Sequence, residues 1–234
     1  MSEHSASQPV SAYNEAEIIS LVTNIYNILI RQGHYKESEV IWAPPQGHAI
    51  DLSVLDASDS MDDRVISLIN KLPYGPEKCV APMMKPVFYK RRYDFWRSRS
   101  IDGYSKEADA TPTVLLLTEG FESTDPVLVL DVADNTIRCF AERYEGPHYI
   151  DVPTEHAPTY LRRVWDNYCT AAWMSDTHEG IFETRESFYS WGPEYRRIFL
   201  ENYQWPGPDF KKEEWERDAF AIKLQLKEKA GFTQ

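Results

Sequence analysis

Cysteine is scarce in this chain of 234 residues: Cys79, Cys139 and Cys169 are the three present, widely spaced and odd in number. No CxxC pair occurs, so neither a disulfide framework nor a zinc ribbon is supported. Long apolar runs are missing too, and nothing approaches the ~20 residues needed to cross a bilayer. The amino-terminal stretch MSEHSASQPVSAYNEAE is polar and acidic, without the apolar centre of a signal peptide. These absences lead us to expect a reducing intracellular setting, cytoplasmic or nuclear. Positive charge is in deficit, with 25 Lys and Arg against 37 Asp and Glu, a net charge of −12. Such a balance opposes general attraction to nucleic acid or an anionic membrane, and neither is expected as a partner. Glycine-rich phosphate loops are absent: Gly120 stands alone, and neither GxGxxG nor GxxxxGK[ST] occurs. No GxSxG elbow and no HExxH appear, and the six histidines show no metal-ligand spacing. His148 and His156, eight apart around a proline loop, read as surface histidines. We therefore expect no metal and no cofactor, and the balance leans away from catalysis. A cyclase or isomerase could still work with shape and one or two polar groups.

What the sequence does have is apolar and aromatic mass, 42% and 13% of its residues. That is enough for a sizeable core. The stretch Thr113 to Tyr144 holds three apolar runs, Thr113–Glu119, Pro126–Val132 and Thr136–Glu142. The first two are nearly continuous Val and Leu, which suits strands covered on both faces. The third alternates, with Ile137, Cys139 and Ala141 on one side and Thr136, Arg138 and Phe140 on the other. Ala133-Asp134-Asn135 makes a polar turn in which Asn135 can adopt a left-handed backbone cheaply. An antiparallel meander follows, centred on residues 113–142.

Helices flank it. Asn14 and Glu17 have capping-box spacing; Ile18, Leu21, Val22, Ile25, Ile28 and Leu29 then form one stripe, and Gly33 stands at the carboxyl-terminal cap. A second helix begins near Ser60 to Asp62, carries Val65, Ile66, Leu68, Ile69 and Leu72, and ends in Leu72-Pro73-Tyr74-Gly75-Pro76. Ala157-Pro158 opens a third, with Leu161, Val164, Trp165 and Tyr168 on a shared face. His178-Glu179-Gly180 reads as a break, residues 186–203 as helix, and Trp205-Pro-Gly-Pro-Asp209 as a turn. A last helix spaces Trp215, Ala219, Ile222 and Leu226 along one side. The expected fold class is α+β, with residues 1–12 a disordered tail and residues 13–234 one domain with a helical carboxyl-terminal extension.

The densest chemistry lies in Phe88 to Arg99. Tyr89, Arg91, Arg92, Trp96, Arg97 and Arg99 are the candidate ligand- or partner-binding residues: aromatic stacking with cationic phosphate contacts is a way of holding single-stranded nucleic acid, and the same groups can meet an anionic ligand or a protein surface. The same composition describes aromatics anchored in a core while arginine heads reach acidic neighbours. Asp51, Asp56, Asp59, Asp62 and Asp63 lack the alternating ligands, central glycine and closing glutamate of an EF-hand, and read better as helix-start and solvating charges. Glu119, Glu122, Asp125 and Asp131 at the ends of the meander could supply carboxylates for acid–base work.

The phrases EVIWAPPQGH (39–48), VISLINKLPY (65–74) and VLDVADNTIR (129–138), with the stretch from Tyr203 to Trp215, resemble a family of uncharacterised fungal proteins. The order Leu72-Pro73, Glu119–Asp125, Leu130-Asp131, Asn135–Phe140 and the helix after Pro158 is similar to the SMI1/KNR4-like (SUKH) superfamily. The chain departs from that superfamily's Asn-Gly-Gly segment and adds its carboxyl-terminal helices. This second resemblance implies an α+β interaction or immunity-type module. Two readings stand at this point. One is an interaction module without catalysis, whose partner is a protein. The other is a small-molecule-binding protein, or a cyclase or isomerase of fungal secondary metabolism, with an aromatic-lined pocket.

Overall fold

The computed structural model describes residues 12–51, 53, 61–87, 89, 111–122, 125–141, 151–176, 180–185 and 189–232. The expected tail lies outside the described residues up to position 11, as do Asp56, Asp59 and His148. The centre of the fold is an antiparallel sheet of five strands in sequential order: β1 (Met84–Pro86), β2 (Val114–Gly120), β3 (Pro126–Asp131), β4 (Thr136–Ala141) and β5 (Glu155–His156). The meander expected over 113–142 forms its three middle strands. In β3, Val127, Leu128, Val129 and Leu130 are all buried, so both faces of that strand are covered and no polar residue alternates with them. Pairing sets Leu130 opposite Ile137 and Asp131 opposite Thr136, which leaves residues 132–135 as the connecting turn. Asn135 takes φ 54° there, and the Asp131 carboxylate accepts the Ala133 N–H at 2.9 Å. A register shift between Leu116 and Thr118 interrupts the β2–β3 ladder, and the buried Thr118 hydroxyl accepts the Leu128 N–H at 3.0 Å in its place. Both edge strands are very short, which limits edge-to-edge association.

Helix α1 (Glu15–Arg31) starts where Asn14 Oδ1 accepts the Glu17 N–H, and ends with Gly33 at φ 83° and the His34 N–H donating to the Leu29 carbonyl. That is the capped helix expected from the sequence. Helix α2 (Asp63–Lys71) begins at Asp62, whose carboxylate accepts the Arg64 N–H at 2.8 Å. Helix α3 (Ala157–Cys169) packs beside α1 and on the sheet, burying Tyr160, Leu161, Val164 and Tyr168. Trp165, expected on that same face, is 37% exposed instead. It follows Val164 directly, so one step of about 100° carries it away from the covered stripe.

The carboxyl-terminal part departs furthest from expectation. A hairpin of β6 (Trp173–Asp176) and β7 (Gly180–Glu183) stands where the sequence suggests only a break. Helix α4 runs from Gly192 to Asn202, shorter than the expected 186–203, and α5 spans Lys212–Lys229. Phe182, Tyr189, Trp191, Tyr195, Phe199, Trp205, Phe210 and Trp215 form a connected set of ring contacts across these elements. The Trp205 indole N–H donates to the Tyr168 carbonyl at 2.8 Å, tying the set to α3. In α5 the buried positions are Trp215 and Lys223, while Ile222 and Leu226 are only partly covered. The reason is local: Lys223 Nζ lies 4.9 Å from the Phe182 ring centre and 5.5 Å from that of Trp191, so π faces receive its ammonium.

Candidate functional site

A groove of about 950 Å³ opens where several parts of the fold meet. These are the end of α1 with the segment that follows it to Glu39, the loop 78–83, the β2–β3 connection, the β6–β7 hairpin, and helices α4 and α5. Its buried base includes Gln32, Tyr35, Tyr195 and Trp215. Gln32 fixes the hairpin against α1: its side-chain carbonyl accepts the Ser175 N–H at 3.2 Å, and its amide donates to the Trp173 carbonyl at 3.4 Å. The Tyr35 hydroxyl reaches the Lys78 carbonyl at 3.0 Å, and His34 Nε2 lies 2.9 Å from the Cys79 carbonyl. A carbonyl only accepts, so Nε2 carries the proton and Nδ1 is the acceptor of the neutral ring. Burial holds the His34 pKa below the ordinary histidine value, with the Cys79 carbonyl opposing and the nearby Lys78 ammonium reinforcing that shift.

Three large apolar side chains stand exposed in this lining: Met83, Phe121 and Phe220. Met83 is held by a tight turn in which the Met84 N–H donates to the Ala81 carbonyl at 3.0 Å, with Pro82 next and Met83 at φ 60°. Proline followed by a positive φ is the type II pattern, which favours glycine or asparagine at the position Met83 fills. The chain thus holds a bulky side chain outward from a backbone conformation that suits a small one. Phe121 is fixed by Asp125, whose Oδ2 accepts the Phe121 N–H at 3.0 Å and the Glu122 N–H at 2.9 Å. The charges in the lining are largely matched: Lys78 pairs with Glu39 at 2.9 Å, and Lys212 lies 3.7 Å from Glu216 while donating to the Ile30 carbonyl.

This arrangement offers shape and apolar anchors. The one cysteine in the lining is Cys79, and the adjacent imidazole meets its carbonyl oxygen. Among the described residues, no group of three or more His, Cys, Asp or Glu side chains could hold a metal ion. No helix among them is long and apolar enough to cross a membrane.

Of the residues singled out from the sequence, Tyr89 is buried, and its hydroxyl donates to the Leu116 carbonyl at 2.6 Å. It lines a second, smaller cavity of about 70 Å³ between the helices and the sheet, together with Tyr26, Tyr74, Leu116 and Leu161. Arg91, Arg92, Trp96, Arg97 and Arg99 lie outside the described residues. The groove escapes sequence reading because its parts are far apart along the chain. The one local signal is Ala81-Pro82-Met83-Met84, a turn sequence with methionine where glycine is expected.

No family model matches this chain, and no curated protein and no solved structure matches it.

Proposed function

We propose that this chain is an interaction module that works by binding another protein, inside the cell, without catalysis. The observation that carries this reading is the groove with Met83, Phe121 and Phe220 displayed in its lining. Large apolar side chains gathered in one concave surface are a feature of protein-binding sites. Met83 adds weight, because its backbone conformation favours a smaller residue than the one it carries. The SMI1/KNR4-like resemblance points the same way.

The test is photo-crosslinking in the protein's own cells, with a benzoylphenylalanine placed at position 83 or 220 and, as a control, at the exposed Asp166 on α3. A protein adduct specific to positions 83 and 220 is expected. Adducts that form equally from position 166, or none from the groove, would overturn the reading.

A second reading, a binder of a small apolar molecule, would rest on the smaller cavity and its apolar lining, and two features of that cavity weigh against it. Its tyrosine hydroxyls are already engaged: Tyr26 accepts the Gly75 N–H, Tyr74 donates to the Ile69 carbonyl and Tyr89 to that of Leu116. At about 70 Å³ it is also smaller than the ~150 Å³ cavity that takes up benzene. Native mass spectrometry of gently purified protein decides this reading, which requires a stoichiometric adduct that disappears on denaturation.

A further inference from the structure

Resting on the interaction reading, we infer that the groove takes an uncharged apolar segment of a different protein, flanked by lysine or arginine. Charge argues for both halves of that description. The ionisable lining balances Lys36, Lys78 and Lys212 against Glu37, Glu39 and Glu216. A balanced lining gives no reward to a charged anchor, whose desolvation would go uncompensated. The anchor is therefore apolar and meets Met83, Phe121 and Phe220.

Outside the lining the balance changes. The molecule as a whole carries −12, so with a neutral lining its excess negative charge lies elsewhere. Exposed carboxylates adjoin the lining at Glu77, Glu122, Glu194, Glu213 and Glu214, against the exposed cations Lys211 and Arg217 and the half-buried Lys85, whose Nζ lies 5.5 Å from the Phe121 ring centre. An acidic surround steers a basic partner toward the site and repels a second copy of this chain. Basic flanks on an apolar anchor answer both conditions.

The probe is a phage-displayed library of random peptides of roughly a dozen residues, panned on the full chain and counter-selected on the double variant M83G/F220S. Met83→Gly suits the turn, so it removes the anchor contact while keeping the fold. Thermal unfolding of each variant checks that directly, and F220S, at an exposed position, serves alone if M83G unfolds early. The expected winners combine two or more apolar residues with net positive charge. Their affinity should fall about tenfold in M83G or F220S, the loss of a strong anchor contact. Added salt should slow their association while leaving dissociation nearly unchanged. Acidic or uncharged winners, affinity indifferent to both variants, or concentration-dependent self-association of the chain would each overturn the inference. Crosslinking from position 83 or 220 to a partner whose contact segment is acidic would leave the interaction reading standing and remove this one. If neither panning nor crosslinking yields a groove ligand, both fall.

Discussion

Gly33 and Gly192 are both tightly placed, but for different reasons, and substitution should separate them. At Gly33, φ is +83°, and the nearest obstacle to an added methyl is the flexible end of Glu216. Gly33→Ala should cost about 1 kcal/mol, the backbone penalty of a left-handed alanine. At Gly192 a methyl would sit 2.7 Å from the Thr184 carbonyl oxygen, which is backbone and cannot turn aside. Gly192→Ala should cost about 3 kcal/mol, the upper part of the overpacking range. Urea unfolding of the two variants checks the order, and equal losses would refute the steric argument. His34 yields a prediction in pH. Its folded-state pKa lies below the unfolded value of 6.5, so the unfolded chain binds the proton first as pH falls. Its contribution is present above pH 6.5 and is lost as pH falls through the interval between that value and the lowered one. His34→Gln should flatten the stability–pH curve in that interval, measured by chemical unfolding at fixed salt.

At the scale of elements, legibility follows periodicity. The strands of 113–142 are readable because their apolar runs are long and Asn135 marks the turn. Helix α1 is readable from Asn14 and Gly33, and α3 from Pro158. The β6–β7 hairpin is not, since each strand has only four residues, and its buried Met174, Ile181 and Phe182 make too short a pattern to show a period. Helix α5 is legible as a helix, and its stripe of Trp215, Ala219, Ile222 and Leu226 packs against the core as the spacing implies; what the spacing misses is Lys223, buried beside that stripe against the rings. This helix depends strongly on Trp215, which lies 4.5 Å from Phe199, 5.0 Å from Tyr203 and 5.2 Å from Tyr195 between ring centres. Trp215→Ala should cost about 3–5 kcal/mol. Hydrogen exchange should locate the loss: amides of 212–229 and 192–202 lose protection first, while those of β3 and β4 keep theirs. Uniform loss across all of them would mean that the sheet and the aromatic layer unfold as one unit.

For the molecule as a whole, the candidate site is illegible in sequence because Gln32, Met83, Phe121 and Phe220 are brought together only by the packing of α1, the sheet and α5. Net charge, by contrast, is a whole-chain property and can be reasoned about directly. A charge of −12 makes the folded state repel itself, and that repulsion acts over long distances between unpaired carboxylates. The ion pairs that oppose it are short-range contacts such as Lys71–Glu15 at 2.5 Å and Arg197–Glu194 at 2.7 Å. They are exposed, and each contributes less than about 1 kcal/mol. Raising salt shortens the screening length from about 30 Å at 0.01 M to about 8 Å at 0.15 M. That removes the distant repulsion more completely than the contacts, so added sodium chloride should raise the thermal midpoint by roughly 1–3 °C, within what a fraction of a kcal/mol produces at this size. Calorimetry at neutral pH measures it. A midpoint that falls with salt would mean that the local pairs outweigh the net charge, and the acidic surround invoked for partner steering would then be weaker than its count of carboxylates implies.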